Sequence, residues 1–478
     1  MRKKFLALLI AFAVAVAGTF TFSGCSILDG VFGSSGEQTG TTDPSGGSGG
    51  STDGKDDPSD DKNNPSGGGS TEGGNTDPSG GDNGGDNGGN NNDPAGGDNT
   101  DPSGGDNNDP QGGDKNDPSG DENGDKKDEG NDDPTAPPPE GLGEGEVTEI
   151  NNADLSIHFI NYQVYNAGDC TLIKVGDTEV LIDAGAKDSC AGTIKQYIDK
   201  YCTDGKLEYV IATHAHEDHI AGFVGNTTNR GILYSYDIGT IIMYSRKKTT
   251  SKISSDFQIA VDYAVGNGAK AYTALQCWNE TDGAQKKYYL DAEQTISINI
   301  LYNYYYDHSS SDENNFSVCM LLTQELGNGY EYNYLFTGDL EEGGEKYLVQ
   351  YNQLPEVELY KAGHHGSKTS SNECLLSVIK PKHVAVCCCA GSNEYTKEND
   401  NMFPTQAFID RISKYTDSVY CLNVIISNED KHSYEPMNGD IVFYTIQRQL
   451  KLWCSNNTTK LKDTAWFAEN RHGWGINE

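Results

Sequence analysis

His214-Ala215-His216-Glu217-Asp218-His219 is the stretch on which the reading of this chain turns. Four potential metal ligands fall within six residues, directly after the apolar run 207–213. In extended backbone, residues i and i+2 face the same way, so His214 and His216 can converge on one ion. A turn into helix then aims Asp218 and His219 at a second position. Three of the chain's ten histidines crowd into this stretch, a concentration that a solvated loop with incidental histidines does not explain. Imidazole with carboxylate suits Zn2+, Mn2+ or Fe2+.

Outward from this stretch the sequence reads as short strands and amphipathic helices. Upstream, 156–164 alternates, and 171–175 and 179–182 form a hairpin across Gly176-Asp177. Ala191, Ile194, Tyr197 and Ile198 then fall at helical spacing. Downstream, strands are expected at 238–244, 296–302, 317–323, 332–336, 356–360, 384–389 and 418–421. Helices fit near 255–266, 345–354, 373–379 and 405–414. Two strand-rich halves interleaved with helices imply an α/β fold, with sheets face to face and helices on the outer faces. One domain is expected over 151–455, followed by a C-terminal tail, 456–478.

The N-terminus is of a different kind. Residues 1–24 read as an export signal: Arg2, Lys3 and Lys4, then the apolar run 5–17 and small residues leading to Ser23-Gly24-Cys25. The run is short for a membrane span, which needs about 20 apolar residues. Cysteine after Ser-Gly resembles a bacterial lipoprotein cleavage box, with Phe22 where Leu is more usual. That implies lipidation at Cys25 and an extracytoplasmic, membrane-anchored chain.

Residues 25–150 form a low-complexity segment rich in Asp, Gly, Asn, Pro and Ser. No Phe, Tyr or Trp occurs from Gly33 to His158, so little apolar burial offsets the entropy of ordering. Thirty acidic residues stand against 5 lysines over 26–150, compared with 42 against 27 bases over 151–478, so most of the acidity sits in this segment. An imperfect repeat, Asp93-Pro94-Ala95-Gly96-Gly97-Asp98-Asn99 and then Asp101-Pro102-Ser103-Gly104-Gly105-Asp106-Asn107, has no apolar positions to stack a solenoid. A disordered, self-repelling tether is expected, holding the next domain on the order of 60 Å from its anchor. Eleven cysteines lie beyond Cys25, three of them consecutive at Cys387-Cys388-Cys389, with no CxxC pair. Neighbours on a strand point to opposite faces, so that run is a poor disulfide framework and mostly buried, reduced thiols are expected.

The His214–His219 stretch resembles the HxHxDH signature of the metallo-β-lactamase superfamily, which implies a four-layer αββα sandwich. Leu181-Ile182-Asp183-Ala184-Gly185 is similar to the family's upstream strand and turn, where Asp183 would orient a ligand from behind. Phe336-Thr337-Gly338-Asp339 is similar to the strand end whose Asp bridges two metals. Lys361-Ala362-Gly363-His364-His365-Gly366-Ser367 would supply the last ligand, His364, with His365 behind it or facing substrate as an acid. The resemblance thus implies two divalent ions, Zn or Mn, held by His214, His216, Asp218, His219, Asp339 and His364, with Asp218 and His365 in catalysis.

Val164-Tyr165-Asn166-Ala167-Gly168-Asp169-Cys170-Thr171-Leu172-Ile173 and the run 364–371 are similar to the ComEC-type domain that accompanies the DNA-uptake channel of bacterial competence. Lys380-Pro381 before a strand, and Asn393…Pro404 stretched by an insertion before a helix, are similar to the same branch. The likeness covers about 155–445 and implies a phosphodiester substrate, plausibly nucleic acid. One departure concerns the third motif, which usually gives a histidine to the first metal. Here the place reads Asp312-Glu313-Asn314-Asn315-Phe316, so Asn314, Asn315 or a water would serve, and an oxygen-richer site tilts towards Mn2+.

Lys361, Lys368, Ser367 and Asn315 are candidate substrate contacts. Against nucleic acid, 151–478 is acidic and its one dense basic cluster, Arg246-Lys247-Lys248 with Lys252, reads as a solvated loop. Tyr302-Asn303-Tyr304-Tyr305-Tyr306 could stack bases or serve the core. Two other functions fit the same residues: hydrolysis of another ester, lactone or amide, and a cell-surface binding module with an impaired metal site.

Overall fold

A computed structural model supplies the coordinates, and residues 136–429 and 432–476 are described. The expected export signal, Cys25 and the segment up to residue 135 lie outside the described residues. Among the described residues no helix is long and apolar enough to cross a membrane.

The described residues form two sheets. The first runs Gly143–Glu144, Gln449–Cys454, Ile441–Ile446, Leu155–Phe159, Thr171–Val175, Thr178–Ile182, Lys206–Ala212, Asp237–Met243, Lys270–Thr273. The second runs Ser433–Pro436, Val419–Ser427, His383–Ala390, Leu359–Lys361, Tyr330–Phe336, Met320–Gly327, Ile296–Ile300, Lys287–Tyr289. From Thr178–Ile182 to Lys270–Thr273 the first sheet is parallel, and the second is parallel from Tyr330–Phe336 to Val419–Ser427. Open α/β sheets bind ligands beyond the carboxyl ends of such strands. Ile182, Ala212, Phe336 and Lys361 each end a parallel strand, and the four motifs lie at these ends.

Strand His383–Ala390 shows how the layers are built. Seven of its eight residues are buried, as expected of a strand covered on both faces. Val384, Val386, Cys388 and Ala390 pack into a cluster with Leu375, Leu376, Phe408 and Ile409, which come from helices Glu373–Ile379 and Gln406–Ile412. The alternate residues Ala385 and Cys387 join the larger cluster between the sheets. There Phe159 lies 6.4 Å from Phe336 of the other sheet and 6.5 Å from Phe443 of its own. Helices Ala191–Ile198 and Lys252–Gly266 bury Ile194, Ile198, Phe257 and Val261 in the same cluster. The expected layering of helix, sheet, sheet and helix is therefore observed. All eleven cysteines among the described residues are free, and ten are buried.

The hairpin Ile441–Ile446 and Gln449–Cys454 has no counterpart in the sequence reading. Its two-residue turn is Gln447-Arg448, with φ of 50° and 63°. Such turns usually advertise themselves as Asn-Gly or Asp-Gly, and Gln-Arg gives no signal. Strand Gly143–Glu144 pairs with Lys451–Leu452, upstream of the expected start of the domain. Near the C-terminus, Leu461, Trp466 and Phe467 are buried in the helix-side cluster, and the Thr464 hydroxyl caps helix Ala465–Asn470 by accepting from Phe467 N. Phe467→Ala should therefore cost about 3–5 kcal/mol in urea unfolding, with the denaturant slope unchanged. A loss below about 1 kcal/mol would show that this segment is not part of the core.

Candidate metal centre

Strand Thr178–Ile182 ends at Asp183, whose φ of 57° is uncommon for a residue with a β-carbon. The turn carries its carboxylate beneath the neighbouring strand end. Oδ1 accepts from Thr213 N at 2.8 Å, and Oδ2 accepts from Thr213 Oγ1 and from His219 Nδ1, both at 2.7 Å. Helix Glu217–Val224 docks on the same turn through Gly222 N→Ala184 O at 2.9 Å. A β-carbon at 222 would stand 2.1 Å from that carbonyl, so glycine is required.

The centre is organised around one atom. Asp339 Oδ2 lies 3.0 Å from His219 Nε2, 3.3 Å from His365 Nε2, and 3.9 Å from both His214 Nε2 and His364 Nε2. His214 Nε2 is in turn 3.0 Å from His216 Nδ1. His365 Nε2 is 3.4 Å from Asp218 Oδ2, and its Nδ1 is 3.1 Å from Asp169 Oδ1. Lys361 Nζ is paired with Asp169 and lies 3.7 Å from Asp339 Oδ1. The ligand atoms of Asp169, His219, Asp339 and His365 all fall within 4.8 Å of one another, and all four residues are buried.

The sequence reading gives the last ligand position to His364, with His365 behind it or facing substrate. The structure puts His365 in the middle of the cluster and His364 at its edge, 22% exposed. Backbone conformation is the reason. His364 (φ 47°, ψ 49°) and His365 (φ 55°, ψ 24°) are both left-handed, a geometry that costs roughly 1–3 kcal/mol per residue and clusters at functional sites. It lets both consecutive side chains reach Asp339. Thr369 Oγ1, 3.0 Å from His364 Nδ1, fixes the outer ring.

The weaker candidates fall less close. Lys361 is buried against Asp169 and is not a surface cation. Lys368 Nζ donates to Asn401 Oδ1 at 3.2 Å. Ser367 Oγ bonds Thr369, and Asn315 Oδ1 points at Gly344 in the first turn of helix Glu342–Tyr351. Two residues without a role in the sequence reading do reach the centre. One is Asp169, whose signal lay in Gly168-Asp169-Cys170: Asp169 N donates to Asp218 O at 3.1 Å, and a β-carbon at 168 would stand 2.7 Å from that oxygen. The other is Tyr395, whose hydroxyl donates to Asp218 Oδ2 at 3.0 Å.

Charge decides what the centre can hold. Four carboxylates, Asp169, Asp183, Asp218 and Asp339, face one ammonium, Lys361, in a buried setting where an uncompensated charge costs several kcal/mol. Burial alone would lower the pKa of His219 and His365. The carboxylates outweigh it, Asp339 and Asp183 for His219 and Asp339 and Asp169 for His365, and hold both imidazoles well above their usual range. Burial would likewise raise Asp339, but His219 and His365 hold it well below the carboxylate range. Both ring nitrogens of His365, with Asp169 Oδ1 and Asp339 Oδ1, lack a well-aligned hydrogen bond despite their short contacts. Buried carboxylates and imidazoles converging with spare lone pairs are the donor set of a divalent cation.

Residues 165–226 match the family model described as the metallo-β-lactamase superfamily. A 101-residue stretch, 21% of this chain, is 31% identical to "Recombination protein 2" of Haemophilus influenzae and spans 11% of that protein's length. Among solved structures, the metallo-β-lactamase fold protein YhfI from Bacillus subtilis is 11% identical, with 56% of this chain and 96% of that one covered and a TM-score of 0.32. MEM-A1, a subclass B3 metallo-β-lactamase from a soil metagenome library, is 15% identical, with 44% and 78% covered and a TM-score of 0.28. The stretch matched by the family model carries Asp169, Asp183 and the His214–His219 cluster, while the chain spans 11% of the length of the curated relative it matches.

Because Asp183 orients His219 through Nδ1, Asp183→Ala should weaken Mn2+ or Zn2+ binding by roughly 10–100-fold in a chelator-competition titration. Unchanged affinity would contradict the orienting role.

Proposed function

We propose that this protein is an extracytoplasmic, lipid-anchored hydrolase of the ComEC-like branch that uses two divalent ions, Zn or Mn, to cleave phosphodiesters such as DNA or nucleotides. The observation that carries the reading is Asp339 Oδ2, set among four imidazole nitrogens with Asp218 beside it. Asp218, His219, His365 and Asp339 would hold one ion. His214, His216, His364 and Asp339 would hold the other, so that His364 stands in for the histidine missing from the third motif. When bound, the ions polarise the scissile group and lower the pKa of a water. The chain orients the ligands: Asp183 holds His219 by Nδ1, Thr369 holds His364 by Nδ1, and Lys361 offsets the charge of Asp169.

The likeness to Recombination protein 2 supports a nucleic-acid substrate, and the sequence of residues 1–25 supports export and lipidation at Cys25. A second reading, hydrolysis of another ester, lactone or amide, is favoured by the lysines beside the histidines. Lys361 is buried and Lys368 is engaged by Asn401, so neither stands ready for a phosphate backbone. The binding-module alternative fits poorly with the convergence of His214, His219, His365 and Asp339, all of them buried.

The test is a hydrolysis panel on the Mn2+- or Zn2+-loaded chain with bis-p-nitrophenyl phosphate, single- and double-stranded DNA, a lactone and a β-lactam. Cleavage of phosphodiesters that a chelator abolishes, and that falls by on the order of 100-fold or more in Asp218→Ala, is expected. Phosphodiesterase activity that survives Asp218→Ala would refute the site, and turnover of the lactone or β-lactam alone would refute the substrate.

A further inference from the structure

The segment between strand His383–Ala390 and helix Gln406–Ile412 is the stretch the sequence marks as lengthened, and it is tied down on several sides. Gly391 N donates to Phe403 O at 2.8 Å, closing the segment on itself. Asn393 N donates to Asn428 Oδ1 at 3.0 Å, and Arg471 Nη2 donates to Met402 O at 2.7 Å. Glu394 reaches across to the loop that carries Asp169, accepting from Ala167 N at 2.9 Å and from Asn166 Nδ2. These ties place Tyr395 over the metal centre.

Tyr395 is 57% exposed, yet its hydroxyl lies 3.0 Å from Asp218 Oδ2. Its ring packs 5.3 Å from Phe403, which lies 5.9 Å from the His364 ring and 6.0 Å from that of His365. Thr213, Ser317, Lys361 and Asp183, which also border the centre, are buried, while Thr369 and Glu341 border it on the His364 side. Tyr395 therefore approaches from the solvent side, where a substrate must enter, and it is a neutral donor that can turn from a carboxylate to an incoming oxygen.

We propose that Tyr395 is a catalytic residue whose hydroxyl donates a hydrogen bond to the non-bridging oxygen that gains charge as the scissile group is attacked. The inference rests on the metallohydrolase reading and adds to it a substrate contact outside the ligand set. Donors aimed at developing charge stabilise the transition state more than the ground state. The phenol keeps its proton. In phosphodiester hydrolysis one water adds across the cleaved P–O bond, giving a phosphomonoester and an alcohol, and Tyr395 changes only the barrier. Glu394 and Phe403 are positioning residues, the first anchoring the segment and the second backing the ring.

The experiment compares Tyr395→Phe with wild type in the metal-loaded full chain, on bis-p-nitrophenyl phosphate and on any other substrate the wild type turns over. Metal content and metal affinity are measured on the same samples. Loss of one such donor should lower kcat by about 10–100-fold, with KM within about threefold, because the bond strengthens only in the transition state. Two metals per chain should remain, with unchanged affinity. Wild-type kcat in Tyr395→Phe overturns the proposal. So does weakened metal binding, which would make Tyr395 a support for Asp218 instead. Wild type that loads metal but hydrolyses nothing sinks the hydrolase reading and this role with it. Wild type that turns over only a non-phosphate substrate sinks the phosphodiester reading, while the same kcat loss on that substrate upholds Tyr395.

Discussion

A single carboxylate oxygen, Asp339 Oδ2, lies within 3.9 Å of four imidazole nitrogens that come from two separate parts of the chain. His214 and His219 follow a strand of the first sheet, while His364 and His365 follow a strand of the second, as Asp339 itself does. Bringing these groups together buries several charges, and buried charges persist only when paired and well oriented. The two sheets must therefore meet with their parallel strand ends on one side. Asp183, Thr213 and Gly222 serve that requirement by holding the His219 ring and its helix against the first sheet's edge.

The parts of the centre that follow strand ends were legible in the sequence, because an apolar run stopping at a polar cluster marks both the strand and its functional end. The His214–His219 stretch is found where that rule puts it, and Asp183 and Asp339, marked only by the family resemblance, also follow strand ends. That both adjacent histidines reach Asp339 was not legible, since it depends on two left-handed residues that no glycine announces. Asp169 was visible only as one letter of a motif, and its role arises from a loop that approaches the Asp218 carbonyl. The closing hairpin was hidden for a similar reason, a turn built from Gln447 and Arg448. In each case the missing information is a backbone dihedral that composition does not encode.

The missing histidine of the third motif also takes on a different meaning. From sequence, Asn314, Asn315 or a water would have to compensate. In the fold Asn315 points at the helix that follows Asp339, while His364, the partly exposed one of the two histidines, lies 3.9 Å from Asp339. Two adjacent histidines would then do the work of two motifs, at the expense of local strain stored at Gly363–Gly366.

The central claim is that two divalent ions would be held here, with Asp339 a ligand common to both and His365 and His364 divided between them. An anomalous-difference map from crystals of the Mn2+- or Zn2+-loaded protein tests it most directly. The account predicts two peaks sharing Asp339, one bordered by Asp218, His219 and His365 and the other by His214, His216 and His364. A single peak, or two peaks with both histidines on one ion, would contradict it.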